Sequence, residues 1–465
     1  MAELESLYTA AEMRAAEARH PGYPGTAPEL MERAGSQAAQ IALQSFPGAQ
    51  RWTVVCGGGS NGGDGRIAAG LLEAAGKDVR IVDATAGERE LGDPDVIVDA
   101  LFGTGFAGEP RADASALIER VNASPARVLA IDLPSGVDAS SGEVAGVAVK
   151  ADETVTFHGP KVGLVVAPGR FHSGIVHIVD IGLDSLETEH RLVSADVLRS
   201  VRRRHEGDNK YTAGHVLVVG GSRGLTGAPS LSALAAMRAD AGYVTVAVPE
   251  STLPVFEQRL LEAVKRPLPD KGGLVAPGAA DHVLDLARKA SAVALGPGLG
   301  RGAGPHELVR RVLAEVALPM VVDADALFEL EPGDWPAPRV LTPHEGELAR
   351  LLDREAKDVA AHRVASVREA AERFGCVVLL KGADTLVAAP GRGLLVVSLG
   401  LPSLATAGTG DVLTGIVAAF LAKGMEPQLA AAAATAAQQC ASVAAPARAG
   451  LIAGDLVDAL PRVLG

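Results

Sequence analysis

The run Leu404-Ala-Thr-Ala-Gly-Thr-Gly-Asp-Val-Leu-Thr-Gly-Ile416 decides how the second half of the chain reads. It is a loop entering a long alanine-rich helix. Glycines at 408 and 410 let the backbone turn so that several amides face one point at the helix N-terminus. That end carries partial positive charge, so the turn makes an anion hole suited to a phosphoryl group in flight. Asp411, on the first helical turn, is placed to take a proton from a hydroxyl attacking that group. Capping the helix is the plainer role for the same side chain.

Further polar loops follow one strand after another. Gly220-Gly-Ser-Arg-Gly-Leu-Thr-Gly-Ala follows a strand over His215–Val219, and Gly296-Pro-Gly-Leu-Gly follows Ala292–Leu295. Asp323-Ala-Asp-Ala ends Met320–Val322, where a carboxylate can help hold hydrated magnesium. Thr342-Pro-His-Glu-Gly-Glu follows Arg339–Leu341, and Lys381-Gly-Ala-Asp-Thr follows Val377–Leu380. Strands over Val244–Val248 and Leu394–Val397 complete the series. Any one such loop is an ordinary turn. Together they predict one ligand cleft along the C-terminal edge of a sheet.

The first half repeats the pattern. Strands are expected over Trp52–Cys56, Val79–Val82, Val96–Val98, Val128–Ile131, Thr154–Phe157 and Ile175–Ile178, with early helices over Thr9–Ala18 and Pro28–Gln44. β-Branched runs alternating with alanine-rich stretches indicate βαβ units on parallel sheets in both halves. Trp52–Cys56 runs into Gly57-Gly-Gly-Ser-Asn-Gly-Gly-Asp-Gly-Arg. Gly57, Gly59 and Gly62 satisfy GxGxxG, and Asp83 closes the next strand, which keeps a plain dinucleotide-binding domain open. Asn61 and Asp64, however, put side chains inside the turn that a pyrophosphate loop does not need. Asp99 and Asp132 end two more strands, and carboxylates buried there require partners or a cation. Asn61, Asp99 and Ser135 can form an oxygen cage for a hard monovalent ion, or simply cap turns. Lys161 reads as a structural ion pair and Arg66 as helix surface. Arg199–Asn209, with its four arginines, has no periodicity and reads as a solvated linker. A boundary near Ser200 gives domains over 1–200 and 205–465.

Composition agrees. The 465 residues exceed one ordinary core. Hydrophobic residues make up 48% and aromatic ones only 3%, so alanine, valine and leucine must build the interior. A net charge of -13 disfavours nucleic acid and anionic membranes as partners. The N-terminal twenty residues are charged throughout, unlike a signal peptide. Leu413 to Leu421 stops short of the ~20 apolar residues of a membrane span. The three cysteines form no CxxC pair, which fits a reducing cytoplasm.

The order GGS…GA, GPGLG, VVDADAL, TPHEGE, LKGADT, AGTGDVLTG over 205–465 resembles the carbohydrate-kinase-like dehydratase domain of NAD(P)H-hydrate repair enzymes, in the ribokinase superfamily. That resemblance implies contacts to the hydrated nicotinamide from Ala228, Gly298 and His344, with Asp411 at the substrate hydroxyl. It implies that Lys381, Gly382, Ala383, Asp384, Thr385 and Gly410 hold the nucleotide, ADP with magnesium. GGGSNGGDGR, VDALFGTGFAGE, IDLPSGVD and TFHGPKVGL over 1–200 resemble the Rossmann-like NAD(P)H-hydrate epimerase domain. Here the resemblance implies potassium at Asn61, Asp99 and Ser135. It places substrate at Ser60, Asn61, Gly62, Gly63 and Asp64, at Gly103, Thr104, Gly105, Phe106, Ala107, Gly108 and Glu109, and at Asp132, the acid–base candidate. Ser60 departs from the family, which usually carries asparagine there.

The expectation is therefore an α/β protein of two domains, Rossmann-like then ribokinase-like. It would epimerise the R and S hydrates of NADH and NADPH and dehydrate the S form at the expense of ADP, giving AMP and phosphate. The competing readings are a vitamin or sugar kinase fused to a nucleotide-binding Rossmann domain, and a first half that only binds nucleotide or a partner protein. Oligomeric state stays open, a homo-oligomer included.

Overall fold

The computed structural model describes residues 4–184, 187–446 and 449–465. The chain divides into two compact units, Ser6–His190 and Arg191–Ala360 with Val364–Gly465. The second unit begins ahead of Ser200 because strand Arg191–Val193 already pairs in parallel with Leu395–Val397.

In the N-terminal unit, Thr9 and Glu12 close a reciprocal capping box that starts helix Ala10–Arg19. Helix Ala27–Ser45 follows, with proline in its first turn. Six parallel strands then run in the spatial order Asp78–Asp83, Arg51–Cys56, Val96–Ala100, Arg127–Ile131, Glu153–Phe157, Ile175–Val179. Central strands such as Val96–Ala100 are buried at every position, which is why they show no polar–apolar alternation, Asp99 being the one polar residue in that run. The first of these six in sequence, Arg51–Cys56, sits between the second and the third. The loops after the first and third therefore part company at a topological switch point, where a crevice opens in such sheets.

In the C-terminal unit the sheet runs Val264–Leu268, Tyr243–Pro249, His215–Val219, Ala292–Leu295, Met320–Val322, Arg339–Leu341, Val377–Leu380, Thr385–Ala388, Leu395–Val397, Arg191–Val193, with the two-residue strand Glu5–Ser6 at that edge. Its first seven strands are parallel. Val377–Leu380, Thr385–Ala388 and Leu395–Val397 then pair antiparallel. The expectation of a wholly parallel sheet is corrected here: Lys381-Gly-Ala-Asp is a hairpin turn, not a crossover. Val264–Leu268 and Thr385–Ala388 are strands that were not expected. Pro267 and Lys265 mask the first as an edge strand, and the second is a short run directly behind the turn. Helices Thr409–Ala422 and Pro427–Ala444 are buried over most of their length. Their alanines let them lie close to the sheet and to one another, so a nearly aromatic-free core still packs.

Candidate active sites

In the N-terminal unit the switch-point crevice is a cavity of about 630 Å³. Ser60, Asn61 and Asp64 line it from the first turn of helix Ser60–Ala74, Gly103 to Phe106 from the loop after Val96–Ala100, and Asp132 and Lys161 from beyond the next strands. Gly62 and Gly63 are absent from that wall, and their role is steric. A Cβ on Gly62 would lie 1.9 Å from the Gly57 carbonyl oxygen, and one on Gly63 2.4 Å from the Met31 sulfur. Ala107, Gly108 and Glu109 likewise lie beyond the lining. The Phe102 and Phe106 rings stack with centroids 4.7 Å apart, which braces the loop.

Asp132 holds a left-handed backbone, φ +69°, which costs a non-glycine residue strain and aims its carboxylate into the cavity. Lys161 Nζ lies 3.0 Å from Asp132 Oδ1 and also donates to Thr156 Oγ1 at 2.7 Å and to the Phe157 carbonyl at 2.9 Å. The ammonium is fully buried with all three hydrogens used. The Thr104 amide donates to Asp132 Oδ2 at 2.6 Å, and the Thr104 hydroxyl donates to the same oxygen. Burial works to raise the Asp132 pKa, but Lys161 and these hydrogen bonds hold it below the usual carboxylate value. Asp64 is pushed the other way, up to about 8, by burial first and then by the charges of Asp132 and Glu17. One carboxyl is kept ionised and another kept protonated at neutral pH, which is how environment separates an acid from a base.

Asn61, Asp99 and Ser135 are brought together beneath this cavity. The Ser135 hydroxyl donates to Asp99 Oδ1 at 2.6 Å, and the Ser135 amide donates to Oδ2 at 2.8 Å. Asn61 Nδ2 donates to the Phe102 carbonyl at 2.8 Å, and the Phe102 amide donates to Ser135 Oγ at 2.8 Å. Asp99 is buried, its donors here (Ser135 and the Leu101 amide) are neutral, and burial raises its pKa to about 6. Asn61 Oδ1 is buried and has no hydrogen-bond partner among the described residues. An orphaned amide oxygen beside an uncompensated buried carboxylate is a donor set that suits a hard monovalent cation. Asp83 binds Arg66 at 2.7 Å and caps Thr85, so it is already engaged where a ribose-binding acid would stand.

In the C-terminal unit, Gly408 takes φ +89° just ahead of helix Thr409–Ala422, whose amides open toward the turn. Lys381 Nζ lies 3.5 Å from where a Cβ on Gly410 would sit, so the ammonium borders the anion hole. Burial raises the Asp411 pKa to about 7, helped by Asp323 and opposed by Lys381. A carboxylate at that value is matched to base catalysis near neutral pH. Gly298 and Ala228 meet: a Cβ on Gly298, itself at φ +59°, would lie 3.3 Å from the Ala228 Cβ. His344 caps helix Glu345–Leu352, its Nδ1 accepting from the Gly346 and Glu347 amides. Nε2 therefore carries the proton, and it lies 3.5 Å from Glu347 Oε2. Gly382 and Ala383 are exposed in the hairpin turn, whereas Asp384 and Thr385 are buried at the start of the next strand. Asp323 carries the Lys381 ammonium at 2.9 Å and the Thr414 hydroxyl at 2.6 Å, so both its oxygens are engaged without magnesium.

Residues 216–462 match the family model described as NAD(P)H-hydrate dehydratase, and residues 27–93 and 82–163 match that of the YjeF-related protein N-terminus. The bifunctional NAD(P)H-hydrate repair enzyme Nnr of Moorella thermoacetica is 37% identical, over 94% of this chain and 92% of its own length. The chain belongs to the bifunctional NAD(P)H-hydrate repair enzymes. The Escherichia coli relative of the same name is 33% identical over 94% of this chain and 89% of its own. A solved ADP/ATP-dependent NAD(P)H-hydrate dehydratase from Bacillus subtilis, co-crystallised with ATP and Mg2+, matches at 28% identity and a TM-score of 0.51, covering 58% of this chain and 96% of that one. A ribokinase-like superfamily protein from Enterococcus faecalis shares the fold at a TM-score of 0.52.

As an NAD(P)H-hydrate repair enzyme, the chain is both an epimerase and a dehydratase. The kinase and binding-only alternatives fall with that membership. Sequence reasoning missed part of the N-terminal cavity, namely Met13, Arg14 and Glu17 on helix Ala10–Arg19, Tyr23 in the turn after it, and Met31 on helix Ala27–Ser45. Burial raises the Glu17 pKa, with the Asp132 charge adding to it. No glycine or carboxylate motif marks that helix, so only folding shows which face meets the cavity.

Proposed function

We propose that epimerisation is carried by Asp64 and Asp132, and dehydration by Asp411 working beside Lys381. In the N-terminal cavity, protonated Asp64 gives its proton to the ring hydroxyl, which leaves as water while the ring nitrogen lone pair forms the iminium. Water adds to the other face and Asp132 takes its proton, and exchange through solvent resets the pair. Lys161 keeps Asp132 ionised for that step. Potassium would be held by Asn61, Asp99 and Ser135, and when bound it supplies the positive charge that the buried Asp99 lacks. Ser60, Asn61 and Gly103 to Phe106 shape the substrate's seat, with Ala107 to Glu109 closing it from farther out.

In the C-terminal unit, Asp411 accepts the proton of the substrate hydroxyl as that oxygen attacks the terminal phosphoryl group of the nucleotide. With ADP the leaving group is AMP. The new phosphate ester departs as phosphate, pushed by the ring nitrogen, and loss of a proton from the adjacent ring carbon restores the dihydropyridine. Magnesium, when bound with the nucleotide, supplies charge neutralisation on its phosphates. Lys381 to Thr385 and Gly410 hold the nucleotide; Ala228, Gly298 and His344 hold the hydrated ring. The epimerising domain would end near His190, ahead of the 1–200 bound expected from sequence, and the dehydrating domain would take in 205–465, both at work in a reducing cytoplasm.

The observation that carries this reading is the Lys381 ammonium bordering Gly410, one residue from a base whose pKa is about 7. A cation, an anion hole and a base are what phosphoryl transfer asks of a protein. The test is a nucleotide titration with S-hydrate of NADH. AMP and phosphate should form in step with recovered NADH; recovery with ATP and none with ADP would overturn the choice of ADP.

A further inference from the structure

Asp323 ends strand Met320–Val322 and is 2% exposed. Its two oxygens reach different elements. Oδ1 accepts from the Lys381 ammonium, which comes from the hairpin turn after Val377–Leu380. Oδ2 accepts from the Thr414 hydroxyl, one turn past Gly410 on helix Thr409–Ala422. One carboxylate thus ties the lysine's turn to the helix that carries the anion hole.

We propose that Asp323 is a positioning residue for phosphoryl transfer, holding the Lys381 ammonium against the turn from Gly408 to Asp411 through its bonds to Lys381 and Thr414. The inference rests on the reading of Lys381 as a ligand of the nucleotide phosphates. A lysine head on a four-carbon stem is a flexible point charge, so a fixed partner is what aims it. Stability alone gives a poor reason for the arrangement, because desolvating a buried pair offsets most of its attraction. The backbone is also set for this purpose from both sides. A Cβ on Gly296 would lie 2.0 Å from the Asp323 carbonyl oxygen, and Ala324 is held at φ +54°. Burial works against the charge on Lys381, but Asp323, with Glu347 and Asp411, keeps its pKa raised. The ammonium therefore stays charged when phosphate arrives.

The test is a double-mutant cycle on the full chain, reading kcat/KM for ADP in S-hydrate dehydration, with thermal melting and circular dichroism of the same preparations as a check that the C-terminal unit is folded. Lys381→Met and Asp323→Asn should each lower kcat/KM by roughly 10²-fold, the cost of a misplaced group. The double variant should match Lys381→Met alone within about a factor of two. Losses that multiply, or an Asp323→Asn enzyme with wild-type kcat/KM, overturn the proposal. An inert Lys381→Met would instead bring down the phosphate reading of the lysine, and the proposal with it. Should Asp323→Asn not fold, Thr414 gives the second arm. Thr414→Ser should keep kcat/KM for ADP while Thr414→Val loses it, and equal values in the two overturn the role.

Discussion

Lys161 Nζ stands 3.0 Å from Asp132 Oδ1, and the lysine is fully buried. Its other two hydrogens go to Thr156 and Phe157, so the ammonium cannot swing away without leaving those acceptors unpaired. Replacing Lys161 by Met removes the cation that keeps Asp132 ionised. Epimerisation should fall by roughly 10²-fold and recover in part as pH is raised toward 8, because the Asp132 pKa climbs, then fall again as Asp64 gives up its proton. Rates of R-to-S conversion between pH 5 and 9 check this, with dehydration of pure S-hydrate unchanged.

Potassium should stabilise the protein more at pH 8 than at pH 5. Asp99 has its pKa raised to about 6 by burial, so at pH 8 it is an anion lacking a cation, and at pH 5 it is mostly protonated. Melting midpoints in potassium and in choline chloride at the two pH values measure the difference. An equal shift at both would separate the ion from Asp99.

Dehydration should depend on an acid limb set by Asp411. With a pKa of about 7 the base is lost as pH falls through neutrality, so kcat/KM rises from pH 6 to pH 8. The charges facing Asp411 are Asp323, Asp325 and Lys381. Asp323→Asn removes a negative neighbour and should move the limb to lower pH; Lys381→Met should move it to higher pH. Asp411→Asn should cost roughly 10²–10⁴-fold. A pH series of initial rates on S-hydrate reads all three.

Arg339 gives a prediction about stability alone. It is 1% exposed in its strand, and its guanidinium donates to the carbonyls of Leu313, Val316, Leu318 and Ala337. Leu313, Val316 and Leu318 lie where helix Ala303–Glu315 ends and runs into Met320–Val322, and Ala337 lies just ahead of the arginine's own strand. Arg339→Met leaves buried carbonyls without donors and should destabilise the C-terminal unit by roughly 3 kcal/mol. Chemical denaturation with a probe in that unit checks the value.

The parts legible in sequence were those fixed by local chemistry. Met320–Val322 and Val377–Leu380 announce themselves because strands buried at every position are apolar throughout, and Arg339–Leu341 does so by Val340 and Leu341 despite its buried arginine. Gly408 and Gly410 announce the anion hole because a backbone that exposes its amides needs residues without side chains. Asp99, Ser135 and Asn61 were found as a group because buried oxygens at strand ends demand explanation. The Lys381 to Asp323 pair was not found, since the two lie 58 positions apart and neither residue alone reports the other. Glu17 was missed for a similar reason. Its helix enters the cavity wall by tertiary packing, and nothing in its spacing marks the face it presents.

The central claim is that one chain carries R-hydrate through epimerisation to dehydration, with Asp132 needed only for the first step. The direct measurement supplies purified R-hydrate and S-hydrate of NADH separately, with ADP and magnesium, and follows the reduced-nicotinamide absorbance. Wild-type protein should restore both, and Asp132→Ala should restore the S form alone at the wild-type rate. Recovery of both forms at wild-type rates by Asp132→Ala, or failure of the wild-type chain on R-hydrate, would contradict the account.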